Sequence, residues 1–456
     1  MKRGVLIAFV VFGIIVVGLF VLLIRSGGDN NTAPTVKKIS VWMPYDEIKT
    51  YQQISQRFVE ENPDVTLEFK YIESKDAADY EAKVVDAIAS EKGPDIWLVR
   101  SDWIPKHAPK SEPAFAEDET LNPIDIAKNR LIPAVVDLNI YDNKLYGVPL
   151  FADTLAVFYN EDFYLKYLDE ATQAQQDAIG SYLTSWGMLR TQVSGISRSS
   201  GSTVTRSGIA LGTAENTYAA TDILSAFLVQ SGVKILSDDK KDVTFNLAQF
   251  VNGKARFPAT EALDFYTSFA KPGKANYSWN KGLGSGLSAF IGGRTATLIG
   301  YHSTLKQIVD ANPSFKLKVA TFPQINDSVK VADRVDFGVS WSHIVNKDSK
   351  NTGLAWKYLG YFMESSVLNQ YSNLTDKISV ELLGRTRPIP TELITADNAA
   401  EKIFLAQLQY LKPFIKPEWQ ETDEILQDAI KLIVNDNAKA QTSADTTAER
   451  FKKAFE

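Results

Sequence analysis

The chain has 456 residues, a formal net charge of −6, three histidines and no cysteine. That length exceeds the roughly 250–300 residues that one hydrophobic core holds, so two lobes are expected. The composition excludes disulfides and thiol or thiolate-metal chemistry, His107, His302 and His343 form no paired zinc motif, and the acidic balance argues against a nucleic-acid footprint.

The chain begins with a basic head, Met1-Lys2-Arg3, followed at residues 4–24 by 21 positions without a charge (GVLIAFVVFGIIVVGLFVLLI). About 20 apolar residues span a bilayer, whereas the core of a secretory signal is about 7–15. Lys2 and Arg3 precede the span, and Arg25 after it is soon joined by Asp29. The positive-inside bias then leaves the N-terminus in the cytoplasm and the body outside. Residues 1–26 are read as a single transmembrane anchor, with a long cleaved signal peptide as the alternative. Residues 27–36 (GGDNNTAPTV) are polar and read as a flexible tether.

The body opens with a β-rich run at 38–43 (KISVWM). At 48–61, Ile48, Tyr51, Ile54, Phe58 and Val59 recur at helical spacing, and Asn62-Pro63 ends the helix. Residues 65–72 (VTLEFKYI) alternate as a strand with one covered face does. Tyr80, Val84, Val85, Ile88 and Ala89 mark another amphipathic helix, stopped by Gly93-Pro94 before the strand IWLV at 96–99. This β-α-β-α-β order is that of an open sheet with helices on its faces. Ligands of such folds lie beyond the carboxyl ends of the strands, which is where Asp102 and Trp103 fall.

Further on, Tyr146-Gly147-Val148-Pro149 reads as a turn feeding one strand and residues 155–159 as a second, with Asp153 between them. Residues 194–208 read as an exposed loop, 209–212 as a strand and 221–229 as a helix. Residues 289–304 read as helix end, turn, strand and loop, and 337–345 as a strand before a helix through Trp356, Tyr358, Leu359 and Phe362. Residues 417–456 read as two helices divided near Thr442-Ser443. There is no internal repeat.

Taken in order, ISVW, YEAKVVDAIASEKGPDIWLV, LYGVPLFADTLAVFYNEDF, TSWGML, AFIGGRTATLIGY and NKDSKNTGLAWKYLGYFM resemble the extracellular solute-binding proteins of ABC importers, family 1, the maltose-binding-like group. The resemblance covers about residues 37–456. It implies an α/β, two-lobed periplasmic-binding-protein-like fold with a hinge, a ligand in the interlobe cleft, and discontinuous lobes. The expected division is 37–151 with 337–384 for the first lobe, and 152–336 with 385–456 for the second. Hinge segments are expected near 151–153, 337–341 and 384–387.

Carried over residue by residue, the resemblance places Trp42, Tyr45 and Asp46 after the first strand, and Asp102 and Trp103 after the GPDI strand. Asp153 precedes the YN strand, Tyr218 follows IALG, Tyr301 and His302 follow the GGRTATLIG strand, and Trp341 falls at the crossing strand. In sugar-binding members the second pair is often acid then base, and Trp103 departs from that pattern. Trp279, in the polar run NYSWNKG, adds a candidate at the cleft edge; Arg387, beside Arg385, either lines the cleft or pairs with surface acids. Trp97, Trp186 and Trp356 read as core, and Trp419 as helix packing. Sugars offer C–H faces to rings and hydroxyls to acids, so Trp and Tyr mixed with Asp point to a saccharide.

The expected function is a membrane-anchored binding protein that captures an oligosaccharide and delivers it to an ABC permease. No catalytic residue, metal or cofactor is called for, and the body is expected to be a monomer. A surface receptor or adhesin for a glycan is the alternative, followed by a glycoside-acting enzyme using two carboxylates.

Overall fold

The computed structural model describes residues 36–115, 121–167, 179–251, 253–312, 314, 316–325, 333–382 and 399–455. The apolar span at 4–24 and the predicted cleft residue Arg387 lie outside them. Among the described residues no helix is long and apolar enough to cross a membrane.

Eight strands among the described residues join in one sheet: β1 (Lys37–Met43), β2 (Val65–Tyr71), β3 (Ile96–Arg100), β4 (Ser111–Glu112), β5 (Gly147–Asn160), β6 (Thr297–Tyr301), β7 (Leu317–Ala320) and β8 (Gly338–Asn346). The path runs β6-β5-β8-β3-β1-β2, with β7 on β5 and β4 on β8. β1 pairs in parallel with β2 and β3, as the βαβ pattern requires. Ile39, Val41 and Met43 are fully buried on one face of β1. On the other side lies helix α1 (Ala77–Ala89), whose Asp76 cap accepts from the Asp79 amide at 2.8 Å. It covers Trp97, which is 2% exposed and meets the His107 ring edge-on.

β5 is a single 14-residue strand, not two strands around Asp153, and all its residues but the last are buried. A central strand covered on both faces reads as a continuous apolar run, which hides its length from any period-2 pattern. Its first half pairs antiparallel with β8 and its second half with β6 and β7. The β5–β8 ladder slips between Trp341 and Ser342, whose partners are Phe151 and Pro149. The slip leaves Leu150 as an extra residue, a bulge that bends the ladder. At the other end of this ladder a Cβ on Gly338 would lie 2.4 Å from the Asp153 carbonyl oxygen, so only glycine fits there.

Other departures are local. The helix expected over 48–61 breaks at Ser55 into Ile48–Ile54 and Gln56–Glu61. Residues 209–212 form no strand; the Ser278 hydroxyl accepts the amides of Gly208 and Ile209 at 2.8 Å each and holds this buried segment irregular. The loop expected over 194–208 is instead the end of helix Trp186–Ile196 and a hairpin, Arg198–Ser200 with Thr203–Arg206. Past Tyr301 the chain enters helix α3 (Ser303–Ala311). The C-terminal helices, α5 (Trp419–Val434) and α6 (Ala440–Phe455), part at residues 435–439, where Asn437 takes a φ of 56°. Two more helices complete the frame, α2 (Ala220–Gln230) and α4 (Thr352–Phe362).

Buried side chains of β1 and α4 share one core, and those of α2, α5 and α6 another; the fold is two-lobed α/β. Truncating Trp97 tests the first lobe: Trp97→Ala should lower unfolding free energy by about 3–5 kcal/mol in urea denaturation. An unchanged midpoint would show that the indole is not a core element.

Candidate functional site

The carboxyl end of β3 delivers three side chains to the meeting of the two lobes. Arg100 holds Asp102 in a two-pronged pair, Nε to Oδ1 at 3.0 Å and Nη2 to Oδ2 at 2.9 Å. The same Nη2 lies 3.3 Å from Asp222, in the first turn of α2. Ala219 just before it adopts a φ of 51°, a left-handed turn that swings the chain from Tyr218 into the helix. Lys416, with a fully buried side chain, reaches Asp423 at 2.8 Å, Asp102 at 3.3 Å and Asp222 at 3.4 Å. The Tyr301 hydroxyl donates to Asp222 Oδ2 at 2.8 Å.

The seam thus gathers two cations and three carboxylates away from water. Burial alone would push the Asp222 carboxyl up, but Arg100 and Lys416 together hold it down to about 2. Asp423 moves the other way, raised by burial, because only Lys416 opposes that and its acidic neighbours reinforce it. Burial would lower Lys416, and its three carboxylates overcome this and push it up.

An aromatic row runs beside the charges. Trp419, the first residue of α5, stacks on Trp103 at 4.8 Å and 11°. Trp103 meets Trp341 edge-on at 5.4 Å, Trp341 meets Tyr45 at 5.3 Å, and Tyr45 meets Phe151 at 6.4 Å. The Lys377 ammonium sits 4.1 Å from the Tyr45 and Phe151 ring centres and 2.6 Å from Glu47. Burial lowers the Lys377 pKa, against the pull of Glu47.

Asp153, in mid-β5, accepts the amides of His302 at 2.7 Å and Ser303 at 3.1 Å and so caps α3. Burial raises its carboxyl, and those donors oppose the rise. Tyr218 is half-buried, and its hydroxyl accepts from Thr304 at 3.1 Å.

The structure brings Tyr45, Asp102, Trp103, Asp153, Tyr218, Tyr301 and Trp341 to this region, and corrects several expectations about them. Trp103 is 0% exposed, enclosed by Trp419 and Trp341, and not on an open wall. Asp102 has both oxygens engaged by Arg100. Trp279 is core, also fully buried, because its indole donates to Asn216 at 3.1 Å inside the fold and not at a cleft edge. Asp46 is exposed at the turn after β1. Trp42 lies under the Lys70 ammonium and lines a separate groove of about 1020 Å³, with Lys38, Asp95 and Lys110.

Sequence reasoning passed over Arg100, Asp222, Lys416 and Asp423. One signal was present: an arginine two residues before Asp102, at the end of a buried strand. Asp222 and Lys416 carry no local signal, since 122 and 194 residues separate Asp222 from Arg100 and Lys416. Among the described residues no group of three or more His, Asp or Glu is arranged to hold a metal.

The family model described as bacterial extracellular solute-binding protein matches residues 46–366. A binding protein of Brucella abortus is 23% identical over 426 residues, covering 91% of each chain. Among solved structures, a cyclic alpha-maltosyl-1,6-maltose binding protein from Arthrobacter globiformis superposes with a TM-score of 0.69 at 17% identity, over 92% of this chain and 98% of that one. The sugar-binding protein MalE of Xanthomonas citri does so with a TM-score of 0.66 at 18% identity, over 92% and 97%. At these identities the structural likeness speaks for the fold.

The ion network makes a stability prediction with a definite sign. A carboxyl depressed from about 3.9 stabilises above that pH and loses its contribution as pH falls through about 2. Asp222→Asn should therefore cost about 2–3 kcal/mol at neutral pH, because Arg100 and Lys416 lose one carboxylate while Asp102 and Asp423 still hold them. It should also flatten the loss of stability between about pH 4 and 2, read by urea denaturation across that range. Parallel pH profiles for the variant and the wild type would contradict this placement of Asp222.

Proposed function

The chain belongs to the bacterial extracellular solute-binding protein family, and from that premise we propose that it holds an oligosaccharide between its two lobes. The observation that carries the reading is the row Tyr45–Trp341–Trp103 running beside the carboxylates of Asp102 and Asp222. Rings take the apolar faces of a sugar, and carboxylates, amides and hydroxyls take its O–H groups. Trp341 and Tyr45 are half-buried and offer ring surface, and the half-buried Tyr218 supplies a polar edge, with Asp153 and Tyr301 buried behind it. Two similar proteins point to the same class, one named for a cyclic maltosyl-maltose and the other for sugar.

In this reading Arg100, Asp102 and Asp222 work as a prearranged set. Each charge is held by another charge, so the lobes present fixed dipoles to a ligand without leaving a lone ion in a dry cleft. The lobes move about the β5–β8 crossing, where the bulge at Trp341 lets the ladder bend. The protein binds and does not turn over its sugar, and an ABC permease receives it. Residues 4–24 tether the body outside the membrane through the polar stretch 27–36. The body works as a monomer.

A thermal-shift panel of malto-, cello- and cyclic oligosaccharides identifies the ligand, since binding to the folded form raises the melting temperature. With that sugar, calorimetry of Trp341→Ala should show an affinity loss of tenfold or more, about 1.4 kcal/mol, and little change in melting temperature. A variant that binds normally would remove the aromatic row from the site. The anchor has its own readout. Protein from intact cells should stay with membranes and keep its N-terminal residues, and a mature chain starting near Asp29 would show a cleaved signal instead.

A further inference from the structure

We infer that Trp419 is a latch between the lobes: carried by the second lobe, it covers the ring of Trp103 in the first, and a ligand must displace it to stack there. The ligand part of the inference rests on the saccharide reading above; the latch itself does not.

Three observations carry it. First, the Trp419 ring packs on the cluster that holds Trp103, while the helix that carries it is rooted in another core. Trp103 lies among Tyr80, Val84 and Trp97, packed on β3 under α1. Trp419 starts α5, whose buried residues Ile425, Leu426, Ala429, Ile430 and Ile433 belong to the core built with α2 and α6. Moving the lobes apart therefore separates the rings. Second, the contact is built and not incidental. The rings are parallel within 11° at 4.8 Å, and the Trp419 indole donates to Glu81 Oε2 at 3.0 Å. Glu81 is itself 2% exposed and fixed on its other oxygen by His107 at 2.7 Å and Lys106 at 3.1 Å. Lys106 also reaches Gln420 and, at 3.7 Å, Glu418, so both neighbours of Trp419 join the grip. Third, the Trp103 indole N–H is buried without a hydrogen-bond partner. A buried donor left unpaired is costly, and a sugar hydroxyl oxygen is a partner it lacks here.

A parallel ring at van der Waals distance occupies the place a sugar face needs on an indole. Trp419 is in this sense an internal competitor, and Glu81 is the residue that positions it. Apparent affinity falls by the fraction of molecules whose site is available. Removing Trp419 should then tighten binding, whereas removing a ligand-contacting ring should weaken it. A stacked aromatic pair of ordinary strength sets the gain at about two- to tenfold.

The test uses the full chain and four proteins: wild type, Trp419→Ala, Trp103→Ala and Glu81→Ala. Far-ultraviolet circular dichroism reports stacked indoles as an exciton couplet. The wild type should show a couplet, which Trp419→Ala should change to that of the remaining Trp103–Trp341 pair, edge-on at 5.4 Å, and which Trp103→Ala should weaken. By small-angle scattering without added sugar, Trp419→Ala and Glu81→Ala should have a larger radius of gyration than wild type. With maltotetraose as probe, saturation should bring the wild-type couplet to that of Trp419→Ala, Trp419→Ala should bind about two- to tenfold tighter, and Trp103→Ala should bind more weakly. An identical couplet in wild type and Trp419→Ala, an unchanged radius in Trp419→Ala, or weaker maltotetraose binding by that variant would each overturn the latch. If maltotetraose and the wider sugar panel bind none of the four proteins, the saccharide reading fails, and the couplet and the radius still decide whether the latch exists.

Discussion

Both lobes hang on one strand. β5 pairs with β8 along its first half and with β6 and β7 along its second, so neither half of the molecule has a complete sheet without it. Its middle is where the two sets of partner strands meet. That middle holds Asp153, whose carboxylate fastens the start of α3, and it faces Gly338, where no side chain fits against the Asp153 carbonyl. The strand cannot end there without breaking the sheet. The ladder to β8 bends nearer the start of the strand, at the extra residue Leu150 beside Trp341.

The same geometry explains why charges collect at the seam. Strand ends of an open sheet point their last side chains away from the core, and β3 ends in Arg100 and Asp102 where α2 brings Asp222 and the approach to α5 brings Lys416. Buried charges persist only when paired, and this set pairs across segments distant in sequence. The network therefore joins the segments that meet at the seam in this structure. The aromatic row lies along the same line, so the seam joins an apolar wall to fixed polar groups, the combination that saccharides need.

Much of the frame was readable from the chain alone. The alternation of KISVWM, the helical stripe ending at Gly93-Pro94 and the apolar IWLV place β1, α1 and β3 with little error, because each has a local cause. The site was readable at the level of position and less so at the level of exposure. Asp102 and Trp103 do lie past a strand end, but neither strand ends nor turn residues reveal what the opposite lobe brings. Trp103 was expected to face an open cleft, and Trp419, 316 positions later, covers it. Trp279 sits in the polar run NYSWNKG, yet its ring packs in the apolar core and its indole N–H is satisfied by Asn216. These are long-range facts, and periodicity carries only local ones.

The seam around Trp341, Arg100 and Asp222 is the proposed saccharide site. Hydrogen–deuterium exchange with and without a saturating oligosaccharide from the panel tests it most directly. Added protection is expected in the segments around 100–104, 218–222, 301–304, 338–341 and 416–423. Protection confined instead to the groove of Lys38, Trp42, Asp95 and Lys110, with the seam unchanged, would contradict it.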